Sequence, residues 1–130
     1  VSRLAELGDG ECIQLLRAHP RHVGRVGFYS QDGLTILPVN YRVFGGEVVF
    51  HTDPGSLLFS AVMQDRVAFE VDDVTPSWRE GWSVLVRGTA REVTDAESIE
   101  AIERLVRSWA GRDSRTIAIT PDQITGRRIV

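Results

Sequence analysis

The chain has 130 residues, 42% of them apolar and 25% charged, which suits one domain over 1–130 with one core and argues against disorder. Its 18 acids outnumber 15 bases for a net charge of −3, and every base is arginine, so a lysine Schiff base and a lysine clamp on phosphate are excluded. Residues 1–65 carry five Arg and seven acids, and residues 66–130 carry ten Arg and eleven acids, an even spread without the basic stripe of a nucleic-acid binder.

The first helix is expected over Asp9–Ala18, capped by Asp9, with Ile13 and Leu16 inward beside Cys12, and stopped by His19-Pro20. The period then changes to two. Val23–Tyr29 reads as a strand, and Gln31-Asp32-Gly33 as a turn. Over residues 35–44, Leu37, Val39, Tyr41 and Val43 point one way, and Ile36, Pro38, Asn40 and Arg42 the other. Gly45-Gly46 closes a hairpin and Glu47–Thr52 returns as a strand. Asp53-Pro54-Gly55-Ser56 opens a short helix, Leu57–Met63, and Arg66–Asp73 follows as a fourth strand. After a polar loop, Thr75–Gly81, a long strand runs from Trp82 to Val93 with a bend or bulge at Gly88. Thr94-Asp95-Ala96-Glu97 fits a capping box, ahead of a helix burying Ile99, Ile102, Leu105, Val106 and Trp109. Arg115–Ile119 and Gly126–Val130 read as two last strands joined by a turn at Thr120-Pro121-Asp122. Six or seven strands and two or three helices, mostly antiparallel, predict a mainly β (α+β) barrel with helices on its rim.

Cys12 has no partner for an internal disulfide, no apolar run approaches the ~20 residues of a membrane span, and no basic-then-apolar start is present. A soluble cytoplasmic protein is the expectation. No dinucleotide, Walker, nucleophile-elbow or C-x-x-C motif occurs. Cys12, His19 and His22 are close in sequence, but Pro20 breaks the helix that would align them as metal ligands, so no metal site is expected. Asp72-Asp73 alternate across a strand and read as solvated charge.

Three patches remain. In Leu37-Pro38-Val39-Asn40-Tyr41 the proline marks an edge or an interrupted ladder, and its face looks onto a cavity, a partner chain or solvent. From Phe50 to Ser56 a strand end, a turn and a helix start bring together His51, Thr52 and Ser56, an arrangement that suits either an anion such as phosphate or a plain helix cap. From Gly81 to Gly88, Trp82 and Ser83 open a long strand, with Trp82 either the wall of a flat-ligand pocket or the plug of a barrel end.

At these patches the chain resembles the FMN-binding split-barrel family, the pyridoxamine 5′-phosphate oxidase-like and nitroimidazole-resistance-like flavoproteins. The resemblance covers almost the whole chain and rests on the order of Gly24–Phe28, Leu37–Tyr41, Val48–Ser56, Val67–Asp73, Gly81–Ala90 and Ile124–Ile129. It implies a six-stranded antiparallel Greek-key barrel that forms a homodimer, with FMN in clefts between subunits. Leu37, Pro38, Val39 and Asn40 then line the flavin ring, His51, Thr52, Ser56 and Leu57 hold the phosphate end, and Trp82 and Ser83 approach the ring. One departure stands out: where the family commonly carries Lys or Arg just after Ser56, this chain has Leu57 and Leu58. Losing one charge-assisted hydrogen bond costs about 1.5–3 kcal/mol, roughly ten- to a hundredfold in affinity. Two functions follow from the resemblance: an FMN-dependent oxidoreductase acting on a small molecule, or a non-catalytic split-barrel dimer that holds haem, a deazaflavin or no cofactor.

Overall fold

The computed structural model describes residues 3–62, 66–77, 79–106 and 113–130. Seven strands and three helices follow in the order β1 (Leu4–Leu7), α1 (Asp9–Ala18), β2 (Val23–Ser30), β3 (Gly33–Phe44), β4 (Glu47–Thr52), α2 (Leu57–Val62), β5 (Arg66–Val74), β6 (Gly81–Glu92), α3 (Ala96–Leu105) and β7 (Arg115–Ile129). The strands pair in the order β1-β7-β4-β3-β2-β5-β6, and β6 pairs back onto β7. Six antiparallel strands thus close a barrel, and β1 adds a seventh at the C-terminal end of β7. Strands β2, β3 and β4 are joined by tight turns and β5 returns to lie beside β2, which is a Greek key.

Alternation builds the interior. Val26, Phe28, Val39, Tyr41, Phe50 and Phe69 point inward and are buried, while α1 and α2 close over the core with Cys12, Leu16, Leu58 and Val62. Burying one such side chain contributes about 1.5–3 kcal/mol. The Tyr41 hydroxyl donates to the Leu16 carbonyl at 2.7 Å, tying α1 to the barrel wall. Strand β4 is buried on both faces: Val49 and Ala118 of β7 point outward beneath α3, where Ile102 and Val106 cover them. Gly45 and Gly46 take φ of 59° and 80°, the left-handed pair that a two-residue hairpin loop needs.

Several expectations are corrected. The cap of α1 is Gly8, and Asp9 is the first helical residue, where its charge complements the helix dipole instead. Asp95, one residue after Thr94, caps α3 by accepting from the Ser98 amide. Leu105, expected inward, is 46% exposed at the last residue of α3. Strand β1, four residues long, carried too little periodicity to be seen. The turn expected at Thr120-Pro121-Asp122 does not exist: β7 is continuous over 15 residues. Its first half pairs with β4 and its second with β1, while β6 runs alongside both. The proline sits where the β6–β7 register shifts between Arg87 and Gly88, and at a bulge a missing amide donor is tolerated. Met63, Trp78 and Trp109 lie outside the described residues.

Candidate functional site

At one end of the β3–β4 hairpin a pocket of about 260 Å³ is lined by Leu37, Pro38, Val39 and Asn40 of β3, His51 and Thr52 of β4, and Asp53, Ser56, Leu57 and Leu58 of the turn and α2. Eight of the ten residues singled out in the sequence therefore meet around one hollow. Trp82 and Ser83 do not. Ser83 opens on a groove of about 680 Å³ with Glu70, Arg87 and Arg127, and Trp82 on a cleft of about 470 Å³ with Asp73 and Arg128. The Trp82 ring packs edge-on against His19, with centroids 5.8 Å apart.

The polar groups of the small pocket are few. Thr52 Oγ1 and Ser56 Oγ lie 3.0 Å apart, and Ser56 Oγ also accepts the Phe59 amide at 3.1 Å, so the serine caps α2. His51 Nδ1 is buried and has no hydrogen-bond partner. Burial holds the His51 pKa below the ordinary histidine value against the pull of Glu103, so the ring is neutral at pH 7 with one N–H and one lone pair. Among the described residues no arginine lines this pocket, and the one ionisable acid in its lining is Asp53.

The histidine pair and the cysteine are engaged elsewhere. His19 Nδ1 accepts the His22 amide at 3.1 Å, which makes Nε2 the donor to the Asp72 carbonyl at 3.3 Å. His22 reaches the Arg17 carbonyl at 3.1 Å from a left-handed backbone, φ 51°. Cys12 is buried, and burial with Asp9 and Glu11 pushes its thiol pKa up, away from reactivity. Among the described residues no group of three or more His, Cys, Asp or Glu is placed to hold a metal.

One cluster escaped the sequence reading. Asp72 is in company not with Asp73 but with Glu70, two positions back on the same outward face of β5, and Arg25 of β2 bonds both. The signal was available in the alternation Glu70-x-Asp72, but which base stands opposite depends on strand order.

A family model described as pyridoxamine 5′-phosphate oxidase matches residues 8–128. An uncharacterized protein of Mycobacterium tuberculosis, Rv0080, is 38% identical over 133 residues, covering 98% of this chain and 86% of that protein. The structure of the FAD binding protein from Mycobacterium smegmatis is 34% identical with a TM-score of 0.82, covering 95% of this chain and 98% of that one. A FAD-binding protein from Mesorhizobium loti shares the fold at a TM-score of 0.83 and 21% identity, covering 100% of this chain and 99% of the other. The barrel described above is thus the split barrel of these flavin-binding proteins, and the chain belongs to the pyridoxamine 5′-phosphate oxidase family.

Proposed function

We propose that this chain is one half of a flavin-binding homodimer, an oxidoreductase that acts on a small molecule in a cleft between two copies. The observation that carries the reading is the pocket at the β3–β4 end, which brings Leu37, Pro38, Val39 and Asn40 of β3 to one hollow with His51, Thr52, Ser56 and Leu57. A volume of about 260 Å³ falls short of a usual ligand site, roughly 300–1,000 Å³, so a second chain would complete the enclosure. Trp82 and Ser83, which stand outside this pocket, are the residues we assign to the opposite wall, contributed by that second copy.

The donor set fits a flavin ring better than it fits a terminal phosphate. Leu37, Val39 and Leu57 offer apolar surface and β3 offers a strand edge broken at Pro38. Among the described residues the tail end offers the Thr52 and Ser56 hydroxyls, one acid and no cation. A phosphate monoester carries about −1.5 to −2 charges near pH 7 and calls for arginine or lysine. In FAD that phosphate is esterified into a diphosphate and the tail continues past the pocket, so we read FAD, not FMN, as the flavin. The 34% identity to a protein named as FAD-binding supports this. Bound flavin supplies the electron-transfer chemistry. The chain's own residues orient it: β3 supports the ring, neutral His51 donates or accepts one hydrogen bond, and the Thr52–Ser56 pair steadies the tail.

The test is the spectrum of the purified full chain together with chromatography of what denaturation releases. Yellow protein that yields FAD is the expected result. Release of FMN would overturn the choice of flavin, and a colourless protein that binds neither flavin in a titration would overturn the whole reading.

A further inference from the structure

Helix α1 enters the barrel through His19-Pro20-Arg21-His22, and His19 is the buried member of that corner, 5% exposed. Both nitrogens of its ring are committed. Nδ1 accepts the His22 amide at 3.1 Å, so the ring proton sits on Nε2, which donates to the Asp72 carbonyl at 3.3 Å. The first bond holds His22 in its left-handed conformation, φ 51°, which residues other than glycine adopt at a cost. From there the His22 carbonyl accepts the Tyr41 amide at 2.9 Å, and β2 begins at the next residue. The second bond reaches past the end of a ladder: the β2–β5 pairing stops at Arg25↔Glu70, and Asp72 lies beyond that last rung.

Two hydrogen bonds at opposite sides of the ring fix both its place and its tilt, and Trp82 packs against it. The ring centroids are 5.8 Å apart and the planes perpendicular, the T-shaped arrangement that aromatic pairs prefer. The backbone makes the same connection, because Asp72 pairs with Ser83 and Asp73 with Trp82. His19 therefore bonds the residue opposite Ser83 and packs on the ring of Trp82. That ring needs support. Trp82 is the second residue of β6, half-buried, with one side on the cleft of about 470 Å³. An indole beside an open hollow has several rotamers to choose among, and the described residues that share the cleft offer no second ring.

We propose that His19 is a positioning residue of the flavin site, which locks the Trp82 indole in one rotamer and steadies the Ser83 rung, so that these two residues meet the flavin with a fixed shape. The proposal rests on the reading of Trp82 and Ser83 as the wall that closes the second copy's pocket. His19 acts through Trp82 and not by contact with the flavin. The residue type suits the task. An apolar side chain would strip the His22 amide and the Asp72 carbonyl of these partners, and a polar side chain without a ring would lose the aromatic contact. Asparagine separates the two roles. Its Oδ1 stands where Nδ1 stands and accepts the His22 amide, but the side chain ends short of Trp82 and of the Asp72 carbonyl.

Two measurements on the full chain test this role. In the flavin-free protein, ¹⁵N spectra of the three tryptophan indoles report the lock, with the Trp82 signal identified by its loss in Trp82→Leu. One sharp Trp82 signal is expected in the unsubstituted chain, and a shifted, broadened one in His19→Asn. In the flavin-loaded protein, His19→Asn is expected to weaken flavin binding about two- to tenfold, the size of one aromatic contact. The emission of the bound flavin is expected to rise with it, because an indole held against the flavin quenches that emission. Trp82→Leu is expected to do the same, and the double variant to stay within about twofold of Trp82→Leu alone, since a residue that acts through Trp82 then has nothing left to position. His19→Gln keeps the donor to Asp72 in place of the acceptor for His22; it is expected to free the indole likewise and serves where His19→Asn does not fold. Additive losses in the double variant would overturn the proposal, as would a Trp82 signal unchanged in the His19 variants. An unsubstituted chain that binds no flavin would overturn the reading of the pocket and this role with it. A chain that binds flavin, with His19 variants that bind and quench it equally, would overturn this role alone.

Discussion

Leu57 carries more information about the ligand than any polar residue around the candidate pocket. It borders the Thr52–Ser56 hydroxyl pair, and among the described residues no arginine lines the same hollow. Leu57→Lys is expected to tighten FMN binding about ten- to a hundredfold, the effect of one charge-assisted hydrogen bond, as read by isothermal titration. FAD affinity is expected to change less, because its tail phosphate is not a terminal dianion. Equal gains for both flavins, or none, would count against phosphate lying at this position. His51→Phe tests the opposite corner. It removes the unpaired nitrogen, so the thermal midpoint of the flavin-free chain is expected to hold or rise while flavin retention drops. The residue types in this pocket were legible in the sequence as a strand segment and a turn. That His51 Nδ1 is buried without a partner was not, since burial of one atom depends on what α2 and α3 lay over it.

Among the elements, β6 and β7 decide whether the barrel closes. Gly88 lies where their register shifts, and a side chain there would run into the Thr120 carbonyl and the Ile119 side chain. A backbone carbonyl within a ladder does not yield as a flexible side chain does. Gly88→Ala is therefore expected to destabilise the fold by about 1–3 kcal/mol in urea unfolding, with the slope of the transition preserved. A neutral result would show that the two strands part here more easily than the ladder implies. The glycine marked a bend or bulge on β6, and the extra residue there, Asp122, stands on β7, the strand that the sequence reading split in two. Pro121 looked like the corner of a turn, because a proline flanked by threonine and aspartate is turn chemistry. In the fold it occupies the one place in a long ladder where no amide donor is needed, opposite Gly88. Local propensity gave way to a neighbour more than thirty positions earlier in the chain. The cap of α3 moved by one residue: Thr94 and Asp95 both suit the position, and it is the Asp95 carboxylate that accepts the Ser98 amide.

For the molecule as a whole, the outward face of the β2–β3 hairpin gathers the most exposed large apolar side chains among the described residues. Tyr29, Leu34 and Ile36 are 73%, 76% and 70% exposed around a hollow of about 390 Å³ floored by Gly27 and Ala68. Leu34 and Ile36 stand on the same side of β3 as Pro38 and Asn40, so whatever covers them also overhangs the candidate pocket. In the proposed dimer that cover is the second copy. Ile36→Asp is expected to shift the chain toward monomer in sedimentation equilibrium and to reduce flavin retention with it, while the circular dichroism spectrum stays that of the folded barrel. Loss of flavin without change of mass would separate the pocket from the interface.

By itself the sequence determined the mainly β architecture, the order of the β2–β3–β4 meander and the buried alternation. These depend on residues near one another in the chain or on a period of two, and both are written locally. Only the tertiary structure decided that β7 is one strand serving three neighbours, that Trp82 and Ser83 open on hollows other than the one below β3, and that Arg25 stands between Glu70 and Asp72. Each of these turns on which strands lie side by side. Strand order comes from closing a sheet around a core, where the gain belongs to the whole interior and no single segment records it.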